Sequence, residues 1–348
     1  MLRYGRAVRS PWPGSHIGLR ITGLVLTGSL VGACGAAGPA TPADGAGFPV
    51  TVAHRYGETT VPRAPERIVA LNRGDRDVLL ALDIVPYGMP DAGPDLPARI
   101  ADRLAEVRRR TGSPTVPVEA YTQPSVVDVL PVAPPPDLLL ATAGALGRED
   151  FDADRAVAPV VGPPPGYGDS PPPPARFGDG DAPWQDSTRL VGRAVGRPAQ
   201  AERLVLDTEA RFADTRARFP ALSGVTAACV HFGSGRATES HAVPAGPRTA
   251  CSRFLAGLGM RGLPALETGP GEPGRTVADR PDDVGELDLV VIDDTPEGRV
   301  AVIRDALPPG PVVVGLDERE NAVLAAPTVL TLPGALDILP ERLAGALR

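Results

Sequence analysis

PAQAERLVLDTEARFADTRARF, residues 198–219, reads as one long helix. Gly196 and Arg197 break the pattern before it, and Pro198 suits the first helical position, where its missing N–H costs nothing. Ala201, Leu204, Thr208, Phe212, Thr215 and Phe219 recur at steps of three or four, and Glu202, Arg203, Asp207, Glu209, Arg211, Asp214, Arg216 and Arg218 fill the gaps. The result is an apolar stripe on a charged rod. Its roughly 22 residues span about 33 Å at the α-helical rise. A rod of that length either braces two domains or lies along the surface of one. The chain on both sides offers the same material, apolar strands that end in glycine-rich or charged loops followed by short helical patterns, and this predicts an α/β fold.

Composition narrows the function. The 348 residues suffice for two domains, and 43% of them are hydrophobic. There are 42 prolines and 40 glycines, and every basic residue is arginine; this bias is that of a GC-rich genome and is not itself functional. A net charge of −7 argues against a nucleic-acid partner, which needs a basic face. Aromatic residues at 4% are too few for a base-stacking platform.

At the amino end, Arg3, Arg6, Arg9 and Arg20 precede an apolar run from Ile21 to Val31, too short to span a bilayer as a permanent helix. Residues 1–33 therefore read as a signal peptide. Val31-Gly32-Ala33-Cys34 resembles a bacterial lipobox, which implies export, a lipid on Cys34 and anchoring to the cell membrane. The alternative is an ordinary signal peptide followed by a chance cysteine. Residues 34–47 are small and suit a flexible tether. Outside the cytoplasm, Cys229 and Cys251 are expected to pair in a disulfide closing a loop of about 20 residues, or else to be buried as small hydrophobes.

In the first half, Phe48 to His54 alternates as an edge strand, Val61-Pro62 enters a turn, and Ile68 to Leu71 is a short buried strand ending at Asn72-Arg73-Gly74-Asp75-Arg76. Val78 to Leu82 follows as a buried helix, and Ile84 to Met89 reads as a second strand. Pro65-Glu66-Arg67-Ile68-Val69-Ala70-Leu71 and Asp77 to Gly88 resemble the opening of the substrate-binding proteins of ABC importers for ferric siderophores, haem and cobalamin. Pro136-Asp137-Leu138-Leu139-Leu140-Ala141 is similar to that family's next hallmark, and the rod at Pro198 falls where the family has its rigid linking helix. The resemblance implies two Rossmann-like lobes with parallel-rich sheets, residues 48–183 and 220–348, joined by helices in 184–219 with a ligand cleft between them. The proline-rich stretch 162–183 reads as an extended loop.

In the second half, Thr226 to Phe232, Leu287 to Ile292 and Val312 to Val314 read as strands, Cys251 to Leu258 as a helix closed by Gly259, and Leu336 to Leu347 as a terminal amphipathic helix. This order repeats the first half and is similar to the importer receptors.

The resemblance implies an anionic chelate as ligand, and arginine forks hold carboxylate or catecholate oxygens in pairs. Arg73 and Arg76 follow the first strand, and Arg236 and Arg299 follow strands of the second half, so these four and Trp184 are the candidate cleft residues. The family's docking acids for the permease carry over to Asp128 and, more distantly, to Asp279 or Asp282. His231, Glu239 and His241 have metal-ligand character, yet the first half offers only His54 before the cleft loops begin, so direct coordination is not expected. No Gly-x-Ser-x-Gly elbow or lysine-bearing phosphate loop occurs, and the chain reads as a binding protein rather than an enzyme. Taken together, the expectation is a monomeric lipoprotein without a covalently bound cofactor that passes a ferric siderophore to an ABC permease. Haem, cobalamin or a metal ion on the same scaffold, or an interaction module with a degenerate cleft, are the alternatives.

Overall fold

The computed structural model describes residues 47–90, 98–112, 134–143, 146–167, 182–232, 242–244, 249–266, 277, 281–293, 298–307, 309–325 and 327–348, all within one compact unit. The chain enters on a hairpin, β1 (Val50–His54) paired antiparallel with β2 (Gly57–Val61). Then come β3 (Ile68–Ala70), α1 (Arg73–Ala81), α2 (Ala98–Thr111), β4 (Leu138–Leu140), α3 (Arg148–Asp154) and β5 (Val160–Val161). β3, β4 and β5 form a parallel sheet in that order.

β2 ends at Val61, and the chain bends at Arg63 after Pro62, where the turn is expected. One expectation for this half needs correction. The second strand expected over Ile84 to Met89 reduces to one parallel bridge between Val69 and Gly88. Tyr87 and Gly88 both donate to the Ile68 carbonyl, at 2.8 and 3.3 Å, and Ala70 N–H donates to Gly88 at 2.8 Å. Pro86 and Pro90 lack the N–H groups a longer ladder requires.

Helices α4 (Trp184–Ala194) and α5 (Pro198–Arg218) follow, with Gly196 at φ +71° in the turn between them. The second sheet is built from β6 (Ala227–Phe232), β7 (Ala242–Pro244), β8 (Leu289–Asp293) and β9 (Val312–Leu316), in the order β7-β6-β8-β9. β6, β8 and β9 are parallel and β7 is antiparallel to β6. Around it lie α6 (Ala250–Gly257), α7 (Pro281–Gly285), α8 (Arg299–Ala306), α9 (Glu318–Ala325) and α10 (Leu332–Ala346).

The parallel strands of both sheets face a core on each side, and this explains why they are largely apolar runs. Ile68, Ala70, Leu138 and Leu140 point into one core, while Val69, Leu139 and Val160 point into a second cluster with Phe151 on the opposite face. The second sheet repeats the alternation. Cys229, Leu289, Val291, Val314 and Leu316 face a core with Phe254, Leu336 and Leu339, and Val230, Val290, Ile292 and Val313 face another with Val284 and Ile303.

Helix α5 belongs to both halves. Ala201, with Leu204 beside it, packs into the first core, whereas Phe212, about 16 Å further along at the α-helical rise, packs into the core of the second sheet. Its buried stripe is Ala201, Val205, Thr208, Phe212 and Thr215, so Val205 takes the fully buried place and Leu204 the margin.

Candidate functional site

The carboxyl end of a parallel strand leads into a helix whose first N–H groups need partners, and loops at these ends are where ligands collect in open α/β sheets. After β3, Asn72 caps α1, its side-chain oxygen accepting from Asp75 N–H at 2.9 Å. The carboxylate of Asp75 answers by accepting from the Asn72 amide at 2.6 Å. It also accepts from Thr142 N–H at 2.9 Å and from the Thr142 hydroxyl, in the loop after β4. The Thr142 carbonyl takes the Ser187 hydroxyl of α4 at 3.0 Å. Three elements are thus stitched together beneath the strand ends. Gly74 completes the join, because a Cβ there would overlap the Ala143 methyl. Asp75 is 0% exposed, and burial pushes its carboxyl up to about 6 despite these donors.

The candidate arginines are placed differently from one another. Arg73 is exposed as the first residue of α1, and its charge reaches Asp77 one turn on. Arg76 is 2% exposed and turned inward, with Nε 2.8 Å from Asp77 Oδ1 and Nη1 3.4 Å from the Pro90 carbonyl. Asp77 is buried too and accepts from the Thr328 hydroxyl at 2.9 Å; burial raises its pKa and Arg76 opposes the rise. Arg299 is buried at the first position of α8, after Gly298 at φ +104°. Each of Arg73 and Arg299 therefore opens the helix that follows a parallel strand, one in each half. Trp184 opens α4 and packs against the core of the first half and that of the second sheet, at their junction.

Cys229, on β6, and Cys251, on α6, form a disulfide with Cα atoms 6.3 Å apart. His54 is buried in the hairpin, 2.9 Å from the Thr59 hydroxyl. Cys34, Arg236, Asp128, Asp279, Glu239 and His241 lie outside the described residues, as does most of the proline-rich stretch. Asp282 begins α7 with Asp283. His231 lies on β6, its main chain paired with Val243. Among the described residues no group of three or more His, Cys, Asp or Glu is arranged to hold a metal ion. Nor is any described helix long and apolar enough to cross a membrane. The network of Asn72, Asp75, Thr142 and Ser187 was not foreseen; the Asn-x-x-Asp spacing of a helix cap was its one visible trace in the sequence.

Solved structures with this arrangement cover most of the chain. A periplasmic solute-binding protein from Mycobacterium smegmatis superposes with a TM-score of 0.64 at 20% identity, over 86% of this chain and 99% of that one. The chain has the fold of a periplasmic solute-binding protein. Streptococcus pneumoniae PiaA, solved with ferrichrome, gives 0.64 at 20% identity over 86% and 98% of the two chains. Staphylococcus aureus SirA, solved with staphyloferrin B, gives 0.57 at 19% over 85% and 98%. In sequence, the chain is 25% identical over 177 residues to Bacillus subtilis YhfQ, whose assignment as an ABC transporter substrate-binding lipoprotein is itself provisional. That match takes in 50% of this chain and 48% of the other, so the chain spans about half the length of the curated relative it matches. No family model matches.

Proposed function

We propose that this chain is an extracytoplasmic substrate-binding lipoprotein that captures a ferric siderophore, or a similar iron chelate, and presents it to an ABC permease. The observation that carries the reading is α5, a single helix seated in the core of the first half at one end and of the second sheet at the other. It favours a division into lobes 48–183 and 220–348 with 184–219 as their brace. A brace of one helix resists wide hinging, so the site works as a preformed cleft. The fold neighbours PiaA and SirA were solved with ferrichrome and staphyloferrin B, and this supports an iron chelate as the first candidate here.

In this reading Arg73, Arg236 and Arg299 supply positive charge at the strand-end loops, and Trp184 walls the cleft where the cores meet. Arg76, ion-paired to Asp77, holds the loop from below. Asp128 and Asp279 are the candidate contacts to the permease, and a lipid on Cys34 tethers the protein to the membrane as a monomer. Binding and release are the whole chemistry, with no bond made or broken and no covalent cofactor.

Native mass spectrometry of protein purified from the iron-starved producing cell tests the ligand class directly, because a retained ferric chelate adds its own mass. Fluorescence-quench titration with ferrichrome and with ferric staphyloferrin B tests the arginines. Arg73→Glu combined with Arg236→Glu should weaken the anionic chelate about tenfold or more, the worth of one lost charge-assisted pair. Unchanged affinity for every chelate would remove the cleft assignment.

A further inference from the structure

The chain passes between the two halves a second time. Leu324, at the end of α9, lies in the core of the second sheet, and so do Leu332, Ala335 and Leu336 at the start of α10. Between them the chain leaves that core: Val329 is 6% exposed inside the core of the first half, and Leu330 packs against the same core. The excursion is a peg driven from one half into the other.

Polar contacts fix the peg to the first half. The Thr328 hydroxyl donates to Asp77 Oδ2 at 2.9 Å, and the other carboxylate oxygen of Asp77 takes Arg76 Nε at 2.8 Å. Thr328 N–H donates to the Thr331 hydroxyl at 2.9 Å, closing a tight turn, and the Thr331 carbonyl accepts from Arg99 of α2 at 3.4 Å. Gly334 admits the Arg99 guanidinium, which a Cβ would displace. Asp77 lies one helical turn beyond Arg73, so α1 carries the candidate cleft arginine at its start and the seat of the peg in its middle.

We propose that residues 328–331 are a latch, and that its seating on Asp77, together with α5, sets the spacing of the two halves. The brace is covalent and continuous and cannot let go. The peg is held by two apolar side chains, Val329 and the partly buried Leu330, and a few hydrogen bonds, so it is the tie that can release. Motion between the halves then begins with withdrawal of Val329 and Thr328 rather than with bending of α5.

The test needs no ligand. Spin labels introduced as unnatural amino acids at the exposed Glu58 and Arg304, one in each half of the full chain, report their separation by pulsed electron resonance, and hydrogen exchange reports the peg. Thr328→Val should raise exchange at 327–334 at least threefold and broaden the label distance distribution; Thr328→Ser, which keeps the hydroxyl, should leave both as in the parent. Thr331→Val, which opens the turn without touching Asp77, is the second route should Thr328→Val not fold. Faster exchange with an unbroadened distribution would overturn the latch, since the peg would then be loose while the halves stay fixed. So would parental behaviour in both variants.

Discussion

Asp137 and Asp288 occupy matching stations in the two sheets. Each immediately precedes a buried parallel strand, β4 or β8, and each turns its carboxylate onto the main-chain N–H that leads into the neighbouring strand. Asp137 accepts from Arg67 N–H at 2.8 Å, and Asp288 accepts from Thr226 N–H at 2.8 Å and from its hydroxyl at 2.7 Å. The Pro-Asp-Leu run at 136–138 thus has a mechanical meaning: the aspartate pins the register of two parallel strands at their entry.

Replacing either aspartate by alanine leaves a strand-opening N–H without its charged acceptor. For half-buried Asp137 the loss should be about 1–3 kcal/mol, and for exposed Asp288 it should fall near the lower end, because water takes over part of the bond. The two residues belong to different sheets and share no partner, so the double variant should equal the sum within about 0.5 kcal/mol. Urea unfolding curves of the four proteins check both statements.

The fold was legible in the sequence where one local rule decides the outcome. The stripe of α5 needs only periodicity and β8 only its apolar run, whereas β4 is legible through the family resemblance of Pro136 to Ala141. The Ile84–Met89 run misled because its hydrophobicity is that of a strand while its prolines cannot carry the ladder. Arg76 shows why site residues are harder. An arginine after a strand looks like a ligand contact, and only the structure reveals that it is buried in α1, paired with the adjacent Asp77 and reaching the Pro90 carbonyl. Asp75 is harder still, since its partner Thr142 lies 67 residues away.

Asp75 should make stability depend on pH in an unusual direction. Its carboxyl titrates at about 6 in the folded protein against 3.8 when exposed, so between those values the folded state holds a proton the unfolded chain has lost. Its contribution is complete below about 4 and is lost as pH rises through about 6. Asp77, also raised by burial, acts with the same sign. Melting temperature measured from pH 4 to 7 should fall less steeply with rising pH in Asp75→Asn than in the parent. An identical slope would contradict the burial-driven shift.

His54 acts oppositely. The Thr59 hydroxyl donates to the Val160 carbonyl at 2.6 Å and so accepts from His54 Nε2, while His54 Nδ1 accepts from Tyr56 N–H at 3.2 Å. The ring is therefore held neutral, and burial lowers its pKa from 6.5. Its contribution is present above that value and is lost as pH falls toward the folded pKa. His54→Phe should flatten this acid limb of the melting profile below about 6.5, where the parent loses stability.

The Cys229–Cys251 bond joins β6 to α6 across 22 positions of sequence. On the chain-entropy account a loop of that size contributes about 3 kcal/mol. Cys229→Ala with Cys251→Ala should lose about that much in urea unfolding. Hydrogen exchange should quicken first in β6 and α6, with β3 and β4 unaffected.

Two glycines let neighbouring helices approach α5, one in each half. A Cβ at Gly192 of α4 would overlap the Ala201 methyl and come within 3.2 Å of the Arg197 carbonyl; one at Gly257 of α6 would come within 2.7 Å of the Phe212 ring. Helix propensity alone favours alanine by about 1 kcal/mol at an interior position such as Gly192. Overpacking costs about 1–3 kcal/mol, so the net sign depends on whether the neighbour can yield. Ala201 sits on a helix backbone and cannot turn aside. At Gly257 the obstacle is the ring edge of Phe212, packed against Phe254 at 5.7 Å between ring centroids, and a side chain yields more readily than a methyl fixed to a helix backbone. Gly192→Ala should therefore destabilise despite its propensity gain, and Gly257→Ala should cost less. If thermal unfolding showed Gly192→Ala to be more stable than the parent, the contact of α4 on α5 would not be close enough to make α5 a rigid brace.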